Sequence, residues 1–398
     1  MKNHIRGHVK PEGGFLRKPN WRTPVLGALL VFTIISSCVN KEGGRDIPVK
    51  VAGLWSIDSI NAWYEAQPWL FGTNFIPSTS INQIEMWQES SWDPVTIDRE
   101  LGYAEQIGMN SIRVFLHYLV WKNEGREYIE RIERFLELAD EHHIRTIFVF
   151  LDDCWDPAPF YGKQKDPVPF IHNSGWVQCP GWEILSDTAR HGELEPYVRD
   201  ILVHFREDVR ILAWDLYNEP GNINSISYAD ATDKPGYSLL LLENVFRWAR
   251  EVNPSQPLTT GVWVGDWSDP DSLSALNKFS LDHSDFISFH CYLDLAGFKN
   301  FFEPLERYNR PVVCTEFMSR KSGGSFDAIL PYMKTHEIGG FNWGLVNGKT
   351  QTIYSWESWT RDVSGEADIW HHDILRKDGT PYLEEEVALF LKLNTDNF

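Results

Sequence analysis

The stretch "ILAWDLYNEPGN", Ile211–Asn222, decides the fold. Its first seven residues form a short, mostly apolar run of the kind buried in a parallel sheet. An acid, Glu219, then stands between Asn218 and Pro220. Glutamate is a poor strand former and its charge resists burial. Glu219 is therefore expected at the end of a strand, facing a cleft rather than a core.

Seven similar runs lie outward from this one: "WLFGTNF" (69–75), "SIRVFL" (111–116), "RTIFVFL" (145–151), "LTTGVW" (258–263), "DFISFHCY" (285–292), "PVVCTEF" (311–317) and "GGFNWGL" (339–345). Amphipathic segments separate them. "TIDRELGYAEQIG" is expected to be a helix capped by Thr96 and ended by Gly108. "YIERIERFLELADEHH" has apolar residues at helical spacing, and "FDAILPYMKTH" does too, disturbed by Pro331. Eight strands alternating with helices predict an α/β single domain, a (β/α)8 TIM barrel, over 61–398 with long loops after strands three and eight. A doubly wound open sheet is the alternative, but no Gly-rich phosphate turn follows the first strand.

The chain has 398 residues, is 42% hydrophobic and carries a net charge of −19. That charge sets aside nucleic acid and anionic lipid surfaces as partners. Residues 1–24 hold Lys2, Arg6, Lys10, Arg17, Lys18 and Arg22 against one acid, Glu12. An apolar run too short to span a membrane follows, ending in "IISSC". This resembles a lipoprotein signal peptide over 1–37 with lipidation at Cys38. Residues 38–60 are then a tether, polar through 39–50. The expected location is outside the cytoplasm, held at a bacterial membrane only through the N-terminal lipid. Four other cysteines remain, Cys154, Cys179, Cys291 and Cys314, without zinc-ligand spacing. They are buried thiols, or Cys154 and Cys179 staple one loop.

Active residues of such a barrel come from the C-terminal ends of its strands. Those ends carry Asn74, Arg113, Asp152, Asn218, Glu219, Trp263, His290, Tyr292, Glu316 and Trp343. Two glutamates among these suit glycoside hydrolysis, in which one carboxyl is protonated and the other ionised. Arg113 and Tyr292 are candidates for keeping Glu316 charged, and Asn218 for bonding a sugar hydroxyl. With 18 tryptophans, the chain is rich in surfaces on which sugar rings stack. The loop from Trp155 to Arg190, with Trp155 and Trp176, reads as a cleft wall. If it closes one end of the groove, it implies exo action or short oligosaccharides. Trp356, Trp359 and Trp370 after strand eight are candidates for distal subsites. His371-His372-Asp373 resembles a set of metal ligands, but adjacent histidines in a strand point opposite ways and no further ligand is evident, so no metal is expected there.

"WDLYNEP" resembles the Asn-Glu-Pro signature of clan A glycoside hydrolases, and "VVCTEF" resembles their strand-seven nucleophile segment. "FHCY", "NWG" and Arg113 resemble the His-x-Tyr, the strand-eight tryptophan and the strand-two arginine of glycoside hydrolase family 5. The resemblance spans about 69–345. It implies hydrolysis with retention by Glu219 as acid/base and Glu316 as nucleophile, without metal or organic cofactor. It implies β-linked poly- or oligosaccharide as substrate, of mannan, glucan or xylan type, with Arg113, Asn218, His290, Tyr292 and Trp343 in the binding site; Asp152, as a strand-end residue, and Trp155 and Trp176, from the loop reading, are expected beside them. Many family members have a histidine near the end of strand three. Here "FLDDCW" (150–155) stands instead, and His117 is the candidate substitute. The competing function is a non-catalytic carbohydrate-binding lipoprotein on the same barrel.

Overall fold

The computed structural model describes residues 51–224 and 231–395. The signal-peptide segment and Cys38 lie outside the described residues. So does most of the tether; the helix Ile57–Glu65 begins within the last part of its expected span. Among the described residues, no helix is long and apolar enough to cross a membrane.

Eight strands form the barrel: β1 (Phe71–Asn74), β2 (Ser111–Phe115), β3 (Arg145–Asp152), β4 (Ile211–Asn218), β5 (Leu258–Thr259), β6 (Ile287–Cys291), β7 (Val312–Phe317) and β8 (Gly339–Trp343). All pair in parallel in the order β5-β4-β3-β2-β1-β8-β7-β6. A parallel bridge between Val262 and Phe289 joins the last pair, β5 to β6. All eight runs read as strands are present. The fifth is far shorter than its run, of which only Val262 pairs again beyond Thr259.

The segments between strands coil because one face of each is apolar. In the helix Arg126–Glu141, Ile129, Ile132, Phe135, Leu136 and Ala139 are buried against the sheet. The helix Pro94–Gln106 begins earlier than expected. Its cap is Asp93, whose carboxylate accepts the Thr96 N–H at 3.1 Å, with Pro94 at the first helical position. Thr96 is thus inside the helix. Pro331 lies within the helix Phe326–Thr335, which continues because Phe326, Ile329, Leu330 and Met333 are buried.

The barrel interior is layered. At its N-terminal end Leu70, Ile147, Leu212, Ala213, Phe286, Val313 and Phe341 pack together. The helix Ile57–Glu65 covers this end, with Ile60 fully buried and Trp63 stacked on Phe286 at 6.0 Å. At the C-terminal end the filling turns polar, with Asn74, Arg113, Asp215 and Asn342 all buried. A charged layer in a barrel core is expensive unless fully paired. That change of chemistry marks the functional end.

Candidate active site

Glu316 reaches the mouth through a bulge. Register between β6 and β7 slips after Phe289↔Cys314, so that His290 faces Glu316. The β7–β8 register slips over the same residues. An extra residue re-aims the side chains that follow it. Glu219 leaves β4 with φ +42°, the left-handed region that a glutamate rarely adopts. A buried knot holds this turn. Asp153 accepts hydrogen bonds from the Gly221 N–H at 2.6 Å, the Tyr217 hydroxyl at 2.7 Å and the Ser238 hydroxyl at 2.6 Å. The Lys234 ammonium donates to the Asp153 carbonyl at 2.7 Å.

The two carboxylates meet. One oxygen of each and a ring nitrogen of His290 all lie within 4.8 Å of one another. Their surroundings differ. Glu316 Oε1 accepts from Arg113 Nη1 at 3.1 Å, and Oε2 accepts from the Tyr292 hydroxyl at 2.6 Å. Arg113 is fully buried and spends its five donors on Asp215, Asn74, Asn218 and Glu316. Glu219 touches His290 Nδ1 at 2.8 Å, the Asn222 amide at 2.5 Å and the Cys154 thiol at 3.1 Å. Burial pushes the His290 imidazole down to about 4, with Glu316 pulling the other way. The ring is therefore neutral and donates to Glu219 from Nδ1.

Burial raises both carboxyls above the ordinary carboxylate range. For Glu316 the charge of Glu219 adds to burial, while Arg113 and the Tyr292 hydroxyl oppose it. Two acids this close hold one proton between them more readily than none. The neighbours assign it. The Arg113 guanidinium bonds Glu316 directly and acts on Glu219 only through space, so it favours the charge on Glu316 over Glu219. The cluster Glu219, His290 and Glu316 also has donor types that bind metals. His290 Nδ1 already bonds Glu219 at 2.8 Å, and a cation there would crowd the Arg113 charge. That donor set suits a shared proton better than an ion.

A cavity of about 560 Å³ opens over the pair. Asn218, Glu219, His290, Tyr292, Glu316, Trp343, Trp155 and Trp176 all line it. Two expected binding residues do not. Arg113 and Asp152 lie beneath the floor, 0% and 1% exposed. Asp152 accepts from Cys154 N, the Asn218 amide, Trp176 Nε1 and the Gln83 amide. It orients the side chains above it, and burial raises its carboxyl to about 6.

Other expectations change too. His117 is buried, bonds the Gln178 carbonyl and accepts the Leu119 N–H, so it is a helix cap and not a substitute for the missing histidine. Trp356 and Trp359 line the cavity, but Trp370 stacks on Tyr382 in a separate apolar cluster. All four described cysteines are free thiols, and Cys154 faces Glu219 instead of Cys179. Cys154, Asn222 and His172 line the cavity without having been singled out as binding residues. For Cys154 the signal was its place just past the end of strand three.

No protein-family model and no curated protein matches the sequence. Solved structures do resemble the fold. An exo-β-1,4-mannosidase from Opitutaceae bacterium strain TAV5 aligns with a TM-score of 0.55 and 17% identity, over 82% of this chain and 59% of that one. A GH5_18 protein from Streptomyces cattleya, solved with Manβ1-4GlcNAc, gives 0.53 and 12%, over 81% and 80%. An endo-1,4-β-D-mannanase from Thermotoga petrophila RKU-1 gives 0.50 and 15%, over 81% and 99%. Likeness at this identity establishes the (β/α)8 barrel.

Proposed function

We propose that this chain is a retaining β-glycosidase acting on neutral β-linked sugars. The observation that carries the reading is the unlike pair at the cavity floor: Glu316 against a buried arginine, Glu219 among neutral donors, their nearer oxygens within 4.8 Å. Retaining enzymes hold their carboxyls about 5–5.5 Å apart, and inverting ones leave room for a water at about 6.5–9.5 Å. The glycosidases among the structural neighbours support the same class.

In the proposed reaction Glu316 attacks the anomeric carbon. The C–O bond to the leaving sugar breaks, its electron pair stays on the oxygen, and that oxygen takes the proton of Glu219. Water then gives a proton to the Glu219 carboxylate and attacks the same carbon, releasing Glu316. Tyr292 and Arg113 hold Glu316 ionised for the first step. His290 and Asn222 fix the Glu219 carboxyl beside the glycosidic oxygen. Trp343 and Trp176, packed edge to face with ring centroids 5.2 Å apart, form the wall beside the sugar under attack.

The test is a set of aryl β-mannosides, β-glucosides and β-xylosides, with the first-formed anomer read by NMR. The β-anomer first, and a 2-deoxy-2-fluoro sugar attached to Glu316 by peptide mass spectrometry, are expected. The α-anomer first, or a label on another residue, overturns the assignment. Sugar binding without turnover favours the non-catalytic alternative. We also propose that a lipid on Cys38 anchors the protein outside the cytoplasm, which the basic and apolar residues before it support. Metabolic palmitate labelling that persists in Cys38→Ala refutes it.

A further inference from the structure

The cavity is lined by residues that follow β3 through β8, and none of its lining residues comes from the loops after β1 and β2. That half of the mouth is roofed. The loop after β3 crosses to the loop after β8, where Asn173 N donates to the Thr350 carbonyl at 2.8 Å and His172 N to Ser358 Oγ at 3.0 Å. Trp359 Nε1 donates to the His172 carbonyl at 2.8 Å, and Trp155 stacks on Trp359 at 5.3 Å. Gln351 ties the same seam, accepting from Phe170 N and donating to the Val168 carbonyl. The roof also rests on the loop after β1. Asn82 donates to the Gly175 carbonyl at 2.9 Å, Gln83 to the Val177 carbonyl at 2.8 Å, and Lys349 N to the Ser78 carbonyl at 3.0 Å. There is no slack: a Cβ on Gly175 would meet Ile81 Cδ1 at 2.2 Å, and one on Gly348 would meet Ser78 Cα at 2.4 Å.

The side that is closed has a direction. Glu316 faces the anomeric carbon, so the sugar it attacks lies beside Trp343 and Trp176. Glu219 protonates the leaving oxygen, so the rest of the chain departs past Trp263, Ile223 and Asn224. The roof therefore blocks the side where sugars preceding the attacked one would sit.

The blocked end is polar. Asn173 is buried, lines the cavity, and its buried Oδ1 accepts no hydrogen bond from any described residue. An unmet buried acceptor is costly unless a ligand supplies the donor. His172 donates from Nδ1 to the Tyr354 carbonyl at 2.8 Å, and burial pushes its imidazole down to about 4. Its Nε2 is thus an acceptor as well. Hydroxyl groups match two acceptors, and the described lining holds no lysine or arginine to receive an anionic sugar.

We propose that the enzyme is exo-acting: it binds the non-reducing terminal residue of a neutral β-linked oligosaccharide in a closed subsite, with Asn173 and His172 taking its free hydroxyls, and removes one sugar per turnover. This rests on the glycosidase reading above. The experiment uses the full chain with manno-, gluco- and xylo-oligosaccharides of four to six units, fluorescently tagged at the reducing end. Tagged product one unit shorter at the earliest times, with free untagged monosaccharide, is expected. Early tagged mono- or disaccharide, or a rapid fall in polymer viscosity, overturns exo action and leaves the glycosidase reading intact. Inactivity on every tagged oligosaccharide and every aryl glycoside overturns both. Gln351→Ala loosens the seam without removing a cavity residue. It is expected to release products of two units or more, which the intact roof forbids. An unchanged one-unit ladder from a folded Gln351→Ala protein whose roof amides exchange faster than those of the wild type refutes the roof as the determinant. Asn173→Ala is expected to raise KM for the oligosaccharide about tenfold, the scale of one lost hydrogen bond to a neutral partner.

Discussion

Glu219 and Glu316 approach within 4.8 Å and are held by opposite means. Glu316 leans on charge. A buried arginine reaches it, and that arginine is balanced by Asp215, whose Oδ2 receives Nε at 3.0 Å and Nη2 at 2.8 Å. Glu219 leans on neutral donors and on a backbone turn fixed by the knot around Asp153. The lesson is that identical side chains take different protonation states from their neighbours, at a separation where both cannot easily ionise.

The strongest way to break this comparison is to remove each acid in turn. Glu316→Ala is expected to lower kcat by about 10⁴-fold or more, as loss of a nucleophile does. Glu219→Ala is expected to cost about 10²–10⁴-fold, the range of general acid catalysis, and less on aryl glycosides with good leaving groups. Azide separates the two. With Glu316→Ala it attacks the vacated face and gives a glycosyl azide of inverted configuration. With Glu219→Ala it captures the glycosyl–Glu316 ester and gives retention. Exchange of these two outcomes reverses the roles.

The supports should differ in stability as well. Arg113→Met leaves Asp215 and Glu316 buried without their cation. It is expected to destabilise the fold by about 3–5 kcal/mol, measured by denaturant midpoint. On the other side Ser238→Ala leaves Asp153 the Gly221 and Tyr217 donors and the Lys234 ammonium, so it is expected to cost only about 1–3 kcal/mol. Equal losses would mean that charge does not distinguish the two supports.

Most of the barrel was legible because it repeats. Eight apolar runs with helices between them admit few architectures, and the strand ends then order the candidates around one mouth. That ordering put Glu219, Glu316, His290, Tyr292 and Trp343 at one end of the sheet, and all five line the cavity. What was not legible is depth. Arg113 was read as a strand-end residue but sits in the middle of β2, and Asp152 ends β3 yet lies under the floor, because periodicity carries no record of height along the axis. Cross-chain seams were hidden for the same reason. Gln351 joins Val168 and Phe170 across more than 180 positions, and no local pattern announces that pairing. Cys154 was read for its bonding capacity to another cysteine, whereas its place one turn past β3 put it beside an acid.

The pH profile sharpens the comparison further. Activity needs Glu316 ionised and Glu219 protonated, so kcat/KM rises with pH through the first titration and falls through the second. Tyr292→Phe removes a donor to ionised Glu316. The carboxyl of Glu316 then titrates higher, and the rising limb moves to higher pH while the falling limb stays.

The smallest effect belongs to Cys154. Burial first, then Asp152 and Glu219, push its thiol well above the ordinary range, so it stays protonated and donates weakly to Glu219 Oε2 at 3.1 Å. That bond favours the ionised form of Glu219. Cys154→Ala removes it, so Glu219 holds its proton to higher pH and the falling limb moves up. Cys154→Ser substitutes a stronger donor at a shorter reach, and the falling limb is expected to move down, with kcat at the optimum changed by only a few-fold, within the weak range of thiol hydrogen bonds. The two variants should thus bracket the wild type on one limb and leave the other in place. If either moved the rising limb instead, the thiol would be acting on Glu316, and the separation of the two settings at the cavity floor would fail.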